Sequence, residues 1–310
     1  MSIDLRAAAA EHLRARRARG YRLADHDRLL ASFLDGLAAH GTTTITVVDA
    51  VAFAVARTRA ERSWQATRLS AIRAFAVHVH ALDPAAAQLI PAGLITSTTA
   101  RRIPYLYSTE QIDQLMSRAS ALTPSWLAAA MQALIGLIAA TGIRSGEAVA
   151  LNVEDLHHDQ ALLTVTGKYG RQRLVPIHQS TVQALLAYQQ LRAALTPAAS
   201  TGPLLVGCTG KRLNITSARA AFRRVADQCD LPTSPGRRPP RLHDLRHTFA
   251  VNTLIDAHRH GVDVDARIAV LATYLGHVNP LNTYWYLSAS AELMTLVSDR
   301  MTTHRQGPRP

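Results

Sequence analysis

Apolar residues recur at helical spacing three times within the first hundred residues. Gly41 with three threonines separates the first two series and Asp83-Pro84 ends the third, so three separate helices are expected. The segment before them is rich in Arg and Ala and predicts a basic amphipathic helix. The pattern therefore predicts a small helical domain over residues 1–96 with one basic face. The three apolar series run over Leu29–Leu37, Val47–Val55 and Leu69–Val79.

Residues 97–107 interrupt the helical pattern. Their sequence, STTARRIPYLY, includes Pro104 and predicts a linker between two domains. Ser108 with Gln111 three residues later is typical of a capped helix start, and helical spacing then continues to Ala150. A second domain is therefore expected over residues 108–310.

The segment from residue 152 to residue 178 has a different pattern. Ala161–Thr166 and Arg171–Ile177 are short strand-like runs, and Gly167-Lys168-Tyr169-Gly170 joins them. Two glycines that bracket two residues predict a hairpin turn. Because helical spacing resumes near Thr181 and again near 216 and 243, the predicted fold class is mainly α with a small antiparallel β-sheet (α+β).

Composition points to a polyanionic partner. The chain has 34 basic and 22 acidic residues, a net charge of +12 and a pI near 10.6, so nucleic acid is the first expected partner and an anionic membrane surface the second. The longest apolar stretch, Leu127–Ile143, is slightly short for a bilayer span and predicts a buried helix. Two cysteines are too few for a disulfide framework, which favours a cytoplasmic protein.

Two arginines and two histidines have the chemistry to hold a phosphodiester. Arg144 lies in the turn TGIRSGE and Arg246 in LHDLRH, and a guanidinium can bind two non-bridging oxygens of a five-coordinate transition state. His243 lies three residues before Arg246, so in a helix both share one face, and His277 would be a further donor. Spacing alone leaves an ordinary surface pair open.

A zinc site is an alternative for the histidines. His243 and His247 are four residues apart, as in a zinc-binding helix, and His277 could supply a third ligand. However, Asp244 stands where that motif has Glu, and the intervening Arg246 would lie close to a cation. We therefore expect no metal and no cofactor. A metallonuclease stays as an alternative that undiminished activity in EDTA would exclude.

Lys168 at the hairpin tip carries information through its residue type. The chain has 32 arginines and 2 lysines, so its basic positions are filled almost entirely by Arg. A lysine ammonium can release a proton, whereas a guanidinium is effectively always charged. Lys168 is therefore a candidate general acid, with chance placement of one of two lysines as the alternative.

Four segments together resemble the signature segments of tyrosine recombinases, the phage integrase family. The segments are TGIRSGE, GKYGRQRLVP, LHDLRHTFA and YLGH, the last followed nine residues later by Tyr286. The resemblance extends from about residue 104 to 295, and the helical first domain is similar in kind to the family's core-binding domain. It implies that Tyr286 is the nucleophile and that a set of basic residues activates the phosphate: Arg144, Lys168, His243, Arg246 and His277.

Helix geometry also distinguishes Tyr286 from Tyr284. Asn279 can cap a helix that has Pro280 at its first position, so both tyrosines are expected in that helix. Two residues correspond to about 200° around the axis, which places the tyrosines on opposite faces. Only one of them can therefore reach the phosphate that His277 contacts. The nine-residue spacing after YLGH, which carries the resemblance, favours Tyr286, and Tyr284 is then expected to pack elsewhere. Glu147, one turn beyond Arg144, is expected to orient Arg or His side chains.

The resemblance implies a site-specific recombinase that cuts duplex DNA through a 3′-phosphotyrosine and acts as a homo-tetramer on inverted-repeat sites. The stretch through Gly261–Asp265 is longer than in most members and is similar to recombinases of transposon-like bacterial elements, some with sister recombinases. A type IB topoisomerase and a catalytically idle DNA-binding accessory protein are the alternatives. Phosphate contacts are expected from Arg68, Arg73, Arg101 and Arg102.

Overall fold

The computed structural model of this chain describes residues 3–21, 23–56, 62–96, 104–167, 170–195, 202–232, 239–277, 281–284, 286 and 293–295. The chain divides into two compact units, Met1–Arg102 and Ile103–Pro310. Within the described residues, each unit has a hydrophobic core of its own. No described helix is long and apolar enough to cross a membrane.

The first unit contains the helices that the apolar spacing predicts. They are α1 (Leu5–Ala18), α2 (Ala24–Ala39), α3 (Val47–Val55) and α4 (Arg62–Leu82). The Asp4 carboxylate accepts hydrogen bonds from the first turn of α1, and the Thr46 hydroxyl does so for α3, which fixes both helix starts. Phe33 and Phe75 are buried in the core that α2 shares with α4.

The second unit is built around α6, which is buried along most of its length, as its apolar run predicts. Ser108 and Gln111 form the predicted capping box at the start of α5. Helices α5, α8 and α10 pack around α6. The helices are α5 (Thr109–Ser120), α6 (Ser125–Thr141), α7 (Ser145–Ala150), α8 (Gln179–Leu195), α9 (Ile215–Ala226), α10 (Asp244–Arg259), α11 (Val264–Leu275) and α12 (Leu281–Tyr284).

A small antiparallel sheet completes the second unit. Its strands β1 (Leu156–His157), β2 (Leu162–Thr166) and β3 (Gln172–Pro176) lie in the order β1-β2-β3. The pairing of β2 with β3 confirms the predicted hairpin, whereas β1 has only two residues and gave no alternating pattern to detect. The fold class is therefore mainly helical with a small antiparallel sheet, as the sequence predicts.

Candidate active site

Arg144 lies in a sharp turn between two helices. Gly142 ends α6 with φ of +62°, and a Cβ built there would lie 2.4 Å from the Phe249 ring, so no larger residue fits. The chain therefore turns at once into α7, which begins after Arg144. The Glu147 carboxylate accepts hydrogen bonds from the Arg144 backbone N (3.0 Å) and from its Nη1 (2.7 Å), and Arg144 Nη2 donates to the Gly276 carbonyl (3.1 Å).

Arg246 is fixed more deeply than Arg144. Its side chain is 1% exposed, and its two terminal nitrogens donate to the carbonyls of Gly142 (2.8 Å) and Leu275 (2.9 Å). These bonds connect α10 to the ends of α6 and α11. Burial, with the nearby charge of Arg144, lowers the pKa of the guanidinium to about 10, so Arg246 is still charged at neutral pH.

His277 follows the glycine that ends α11. Its Nε2 lies 2.9 Å from Arg246 Nη2, and its Nδ1 lies 2.7 Å from Thr283 Oγ1. Because a guanidinium only donates, Nε2 must accept, and the single proton of the neutral ring is then on Nδ1 and is donated to Thr283. Burial, reinforced by Arg246 and Arg144, lowers the pKa of His277 to about 4.

Two more histidines belong to the same cluster. His243 immediately precedes α10 and His247 lies in its first turn, with ring centroids 4.9 Å apart. Burial and the Arg246 charge lower the pKa of His243 to about 4, and burial and His243 lower that of His247 to about 3. All three imidazoles are therefore neutral at pH 7. Among the described residues, no group of three or more His, Cys, Asp or Glu side chains is arranged to hold a metal ion.

Tyr286 is buried against this cluster. Its side chain is 2% exposed, its ring is stacked with His277 at 6.1 Å, and its hydroxyl is hydrogen-bonded to Arg246. Burial raises the pKa of the phenol, while the Arg246 charge opposes that rise. Tyr284 is 44% exposed, so the two tyrosines have opposite environments. The described part of the expected helix is Leu281–Tyr284, and Tyr286 is in a 3-10 helical conformation.

Lys168 lies outside the described residues, as do Arg101, Arg102 and the Asn279-Pro280 cap. The residue before Lys168 is described: the Gly167 amide donates to the Arg171 carbonyl (2.7 Å) at the base of the hairpin. A Cβ built on Gly167 would lie 3.7 Å from Glu147 Oε1. The base of the hairpin therefore borders the carboxylate that holds Arg144.

Arg68, which is expected to contact phosphate, is buried within the first unit. Its side chain is 5% exposed, and its guanidinium lies 4.1 Å from the centroid of the Phe53 ring. This cation–π contact inside the first unit leaves little of the guanidinium to meet a phosphate. Arg73, on the same helix, is half-buried. A basic residue beside an apolar stripe can thus be part of the packed face, since its methylenes cover apolar surface.

Two residues of this site were not predicted from the sequence. Thr283 is fully buried, and its hydroxyl oxygen accepts the hydrogen bond from His277 Nδ1. It lies three residues before Tyr286, and this helical spacing could have indicated it. Arg173 on β3 forms an ion pair with Glu147 (2.8 Å). Arg173 and Val175 lie on the same, less exposed face of the strand. A charge on such a face needs a counter-charge nearby, and this alternation is the signal that could have indicated the ion pair.

Comparison with known proteins identifies the family. The model of the phage integrase family matches residues 106–292. The chain is 37% identical to the integrase/recombinase y4rB of Sinorhizobium fredii over 296 residues, which cover 93% of this chain and 94% of that protein. It is 29% identical to the tyrosine recombinase XerC of Mycobacterium tuberculosis, over 90% of both chains.

Solved structures with the same fold include recombinases bound to DNA. The Tn1549 transposon integrase in complex with a circular intermediate DNA has a TM-score of 0.64 at 14% identity, covering 95% of this chain and 99% of that one. The XerH site-specific recombinase bound to a palindromic substrate has a TM-score of 0.63 at 17% identity, covering 82% and 72%. The family match and the sequence relatives establish that this chain belongs to the phage integrase family and is a tyrosine-type site-specific recombinase.

Proposed function

We propose that this recombinase cuts and rejoins duplex DNA with Tyr286 as its nucleophile. The observation that carries the proposal is the convergence on Tyr286 of a buried guanidinium, Arg246, and a stacked imidazole, His277. The tyrosine oxygen attacks a backbone phosphorus, the bond to the 5′ oxygen breaks, and a 3′-phosphotyrosine forms. A 5′-hydroxyl of another strand then reverses the step. The bond energy is kept in the protein–DNA link, so neither ATP nor a metal is needed.

Arg144 and Arg246 are proposed to bind the non-bridging oxygens of the reacting phosphate. Arg246 is held by two carbonyls and Arg144 by Glu147, so both charges are in place before DNA arrives and need little reorganisation during the reaction. His243 and His277 are proposed as further hydrogen-bonding partners of the phosphate, His277 once its Nε2, which accepts from Arg246 in the DNA-free protein, has taken up a proton. As the phenol loses its proton, a neutral imidazole can accept it, because the negative charge of a bound phosphate opposes the burial and arginine charges that lower the pKa of these rings in the DNA-free protein.

Lys168 is proposed to protonate the departing 5′ oxygen. With pKa values of about 3 to 4, the three histidines of the site are neutral at pH 7 in the DNA-free protein and lack the second, acidic proton of an imidazolium, so they are poor general acids. The hairpin that carries Lys168 begins next to Glu147, on the side of the cluster where Arg144 is held. A lysine from this hairpin is the remaining candidate with a transferable proton.

The proposed assembly is a homo-tetramer on two inverted-repeat duplex sites, in which strands are exchanged in pairs. The reaction would move a mobile element, together with sister recombinases where the element encodes them. The solved relatives support a duplex partner, since the XerH structure contains a palindromic substrate and a Tn1549 integrase structure contains transposon right end DNA. In this arrangement, residues 1–96 act as a core-binding domain, 97–107 as a linker and 108–310 as the catalytic domain.

Substitution of the two tyrosines tests the nucleophile. Tyr286→Phe should bind site DNA as the wild type does but form no covalent adduct, because the attacking oxygen is missing. Tyr284→Phe is the matched control: its side chain is exposed, so the adduct should form at the wild-type rate. Suicide-substrate reactions resolved on a denaturing gel measure both. A covalent adduct with Phe at position 286 would overturn the proposal.

A further inference from the structure

Arg173 makes its contacts inside the protein. It lies on β3 opposite Val165, and its side chain is 15% exposed. Its Nη1 and Nη2 donate to the two Glu147 oxygens at 3.3 and 2.8 Å, and its Nε donates to the Tyr274 carbonyl at 2.9 Å. The guanidinium is thus used to join a strand, a helix start and a helix end. The partly exposed Arg144 differs from it, since Arg144 is proposed to bind the phosphate, whereas Arg173 holds parts of the protein together.

The Arg173 guanidinium also lies directly beneath Gly276. A Cβ built on Gly276 would lie 2.9 Å from Nη1 and 3.0 Å from Cζ of Arg173, closer than side-chain carbons approach their neighbours. Gly276 has φ of +67°, so two constraints, backbone conformation and the guanidinium, require glycine here. Because His277 is the next residue, the guanidinium of Arg173 supports the backbone from which that imidazole projects.

These contacts close into a ring. Glu147 binds Arg173 on one side and Arg144 on the other, and Arg144 donates to the carbonyl of the same Gly276 that covers Arg173. Removing Arg173 would leave Glu147 with Arg144 as its remaining ion-pair partner among the described residues, and would open a space beneath Gly276. Both Arg144 and His277 would then lose part of what fixes their position.

We propose that Arg173 is a positioning residue of the strand-transfer reaction, which acts through Glu147 and Gly276 to hold Arg144 and His277 where both can meet one phosphate. This inference rests on the proposed function, in which Arg144 and His277 bind the scissile phosphate. The electrostatics of His277 also place Arg173 close to this imidazole. Burial, Arg246 and Arg144 lower the pKa of His277 most, and the charge of Arg173 is the next contribution.

Arg173→Ala in the full-length protein tests the proposal. Cleavage of a suicide substrate at saturating DNA should slow by on the order of 100-fold, the effect of misplacing reacting groups by about an ångström. The dissociation constant for site DNA should stay at its wild-type value, because Arg173 makes no phosphate contact in this scheme. Arg171→Ala, which removes an exposed charge from the same hairpin, is the matched control and should cleave at the wild-type rate.

Chemical rescue distinguishes positioning from a general loss of structure. Millimolar guanidinium should restore cleavage by Arg173→Ala, since it can occupy the space between Glu147 and Gly276 and bind the carboxylate. Ammonium at the same ionic strength has no planar fork and should restore much less. Failure of guanidinium to rescue, or a loss of DNA binding that matches the loss of cleavage, would overturn the proposal.

Arg173→Lys covers the case in which the Ala variant does not fold. It keeps the charge and most of the volume, but one ammonium cannot bridge both Glu147 oxygens and the Tyr274 carbonyl as the guanidinium does. Cleavage should therefore be slowed, with DNA binding retained; a wild-type rate in this variant would contradict the inference. A failure of the proposed function would give a different result, because the wild-type protein itself would form no covalent adduct through Tyr286.

Discussion

Each unit of this protein contains a histidine cluster, and both clusters include rings whose pKa is lowered by burial. In the first unit, His12 lies with its ring 5.8 Å from Phe75 and 5.3 Å from His78. Burial, with the charges of His78 and Arg16, lowers the pKa of His12 to about 4, and burial also lowers that of His26. In the second unit, the three histidines have pKa values of about 3 to 4 for the same physical reason.

The clusters differ in what surrounds them. The described ring contacts of His12 are to Phe75 and His78, and the buried Arg68 of the same unit lies over an aromatic ring. In the second unit, His277 is bonded at both ring nitrogens, and the buried Arg246 is fixed by carbonyls beside Tyr286. A lowered histidine pKa therefore reports burial near cations. Convergence of oriented donors on a nucleophile is what marks a site.

Lys168→Arg should give the largest effect of the predictions that follow, because the second cluster becomes a working site only with a proton donor. Arginine keeps the charge and reach of lysine but is a very poor donor, so cleavage should fall by on the order of 100- to 10,000-fold. Single-turnover adduct formation at saturating DNA measures this. A mild loss would show that Lys168 acts through charge alone.

A substrate with sulfur in place of the bridging 5′ oxygen separates these roles. A thiolate leaves without a proton, so Lys168→Arg should cleave this substrate nearly as fast as the wild type does. The other lysine, Lys211, supplies the matched control, since Lys211→Arg should behave as the wild type with either substrate. Equal impairment on sulfur and oxygen would exclude Lys168 as the acid.

Thr283→Val tests the contact that distinguishes His277 from His12. The substitution keeps the shape but removes the acceptor of the Nδ1 proton, a hydrogen bond worth about 1 kcal/mol or roughly fivefold in rate. Cleavage should slow by about that factor with DNA binding unchanged, and Thr283→Ser should restore it. Thr273→Val on α11, where the exposed hydroxyl bonds its own helix, is the control. A Ser variant as slow as the Val variant would contradict this role.

The sequence predicted the helices, the hairpin and the family because these depend on local spacing. Apolar periodicity placed α2 to α4, and the glycines around Lys168 predicted the pairing of β2 with β3. The sequence did not predict the environments of Arg68 and Arg173, because these depend on residues elsewhere in the chain. The contact of Arg173 with Glu147 spans 26 residues and that with Tyr274 spans 101, and no spacing rule predicts such partners.

Stability against acid should reveal the packing role of the His12 cluster. The pKa of His12 in the fold, about 4, is below the unfolded value of about 6.5, so the fold favours the neutral ring. Its contribution is present above pH 6.5 and is lost as the pH falls towards 4. His12→Leu should therefore reduce the pH dependence of the free energy of unfolding across that window by on the order of 1 to 3 kcal/mol.

The measurement for His12→Leu is denaturant unfolding at several pH values, compared with the wild type so that the other histidines cancel. Adduct formation at pH 7 should be unchanged, since His12 lies in the first unit's core. Equal pH slopes for variant and wild type would mean that His12 is not held neutral by the fold. A slower cleavage reaction would instead give the first cluster a part in the chemistry.

The smallest expected effect extends the comparison to the arginines of the first unit. Arg68→Ala removes a buried cation–π pair with Phe53, so it should lower the free energy of unfolding by about 1 kcal/mol and leave the salt dependence of DNA binding unchanged. The salt dependence of DNA binding should change for three other variants, Arg73→Ala, Arg101→Ala and Arg102→Ala. If each variant removes one phosphate contact, the slope of log K against log salt should become flatter by roughly 0.9. Binding to all sequences should weaken alike, because a phosphate contact does not read the bases. Titrations of specific and unrelated duplexes at several salt concentrations measure both. A flatter slope for Arg68→Ala would show that its guanidinium leaves Phe53 for the DNA, and unchanged slopes for the other three would assign them to a solvated face.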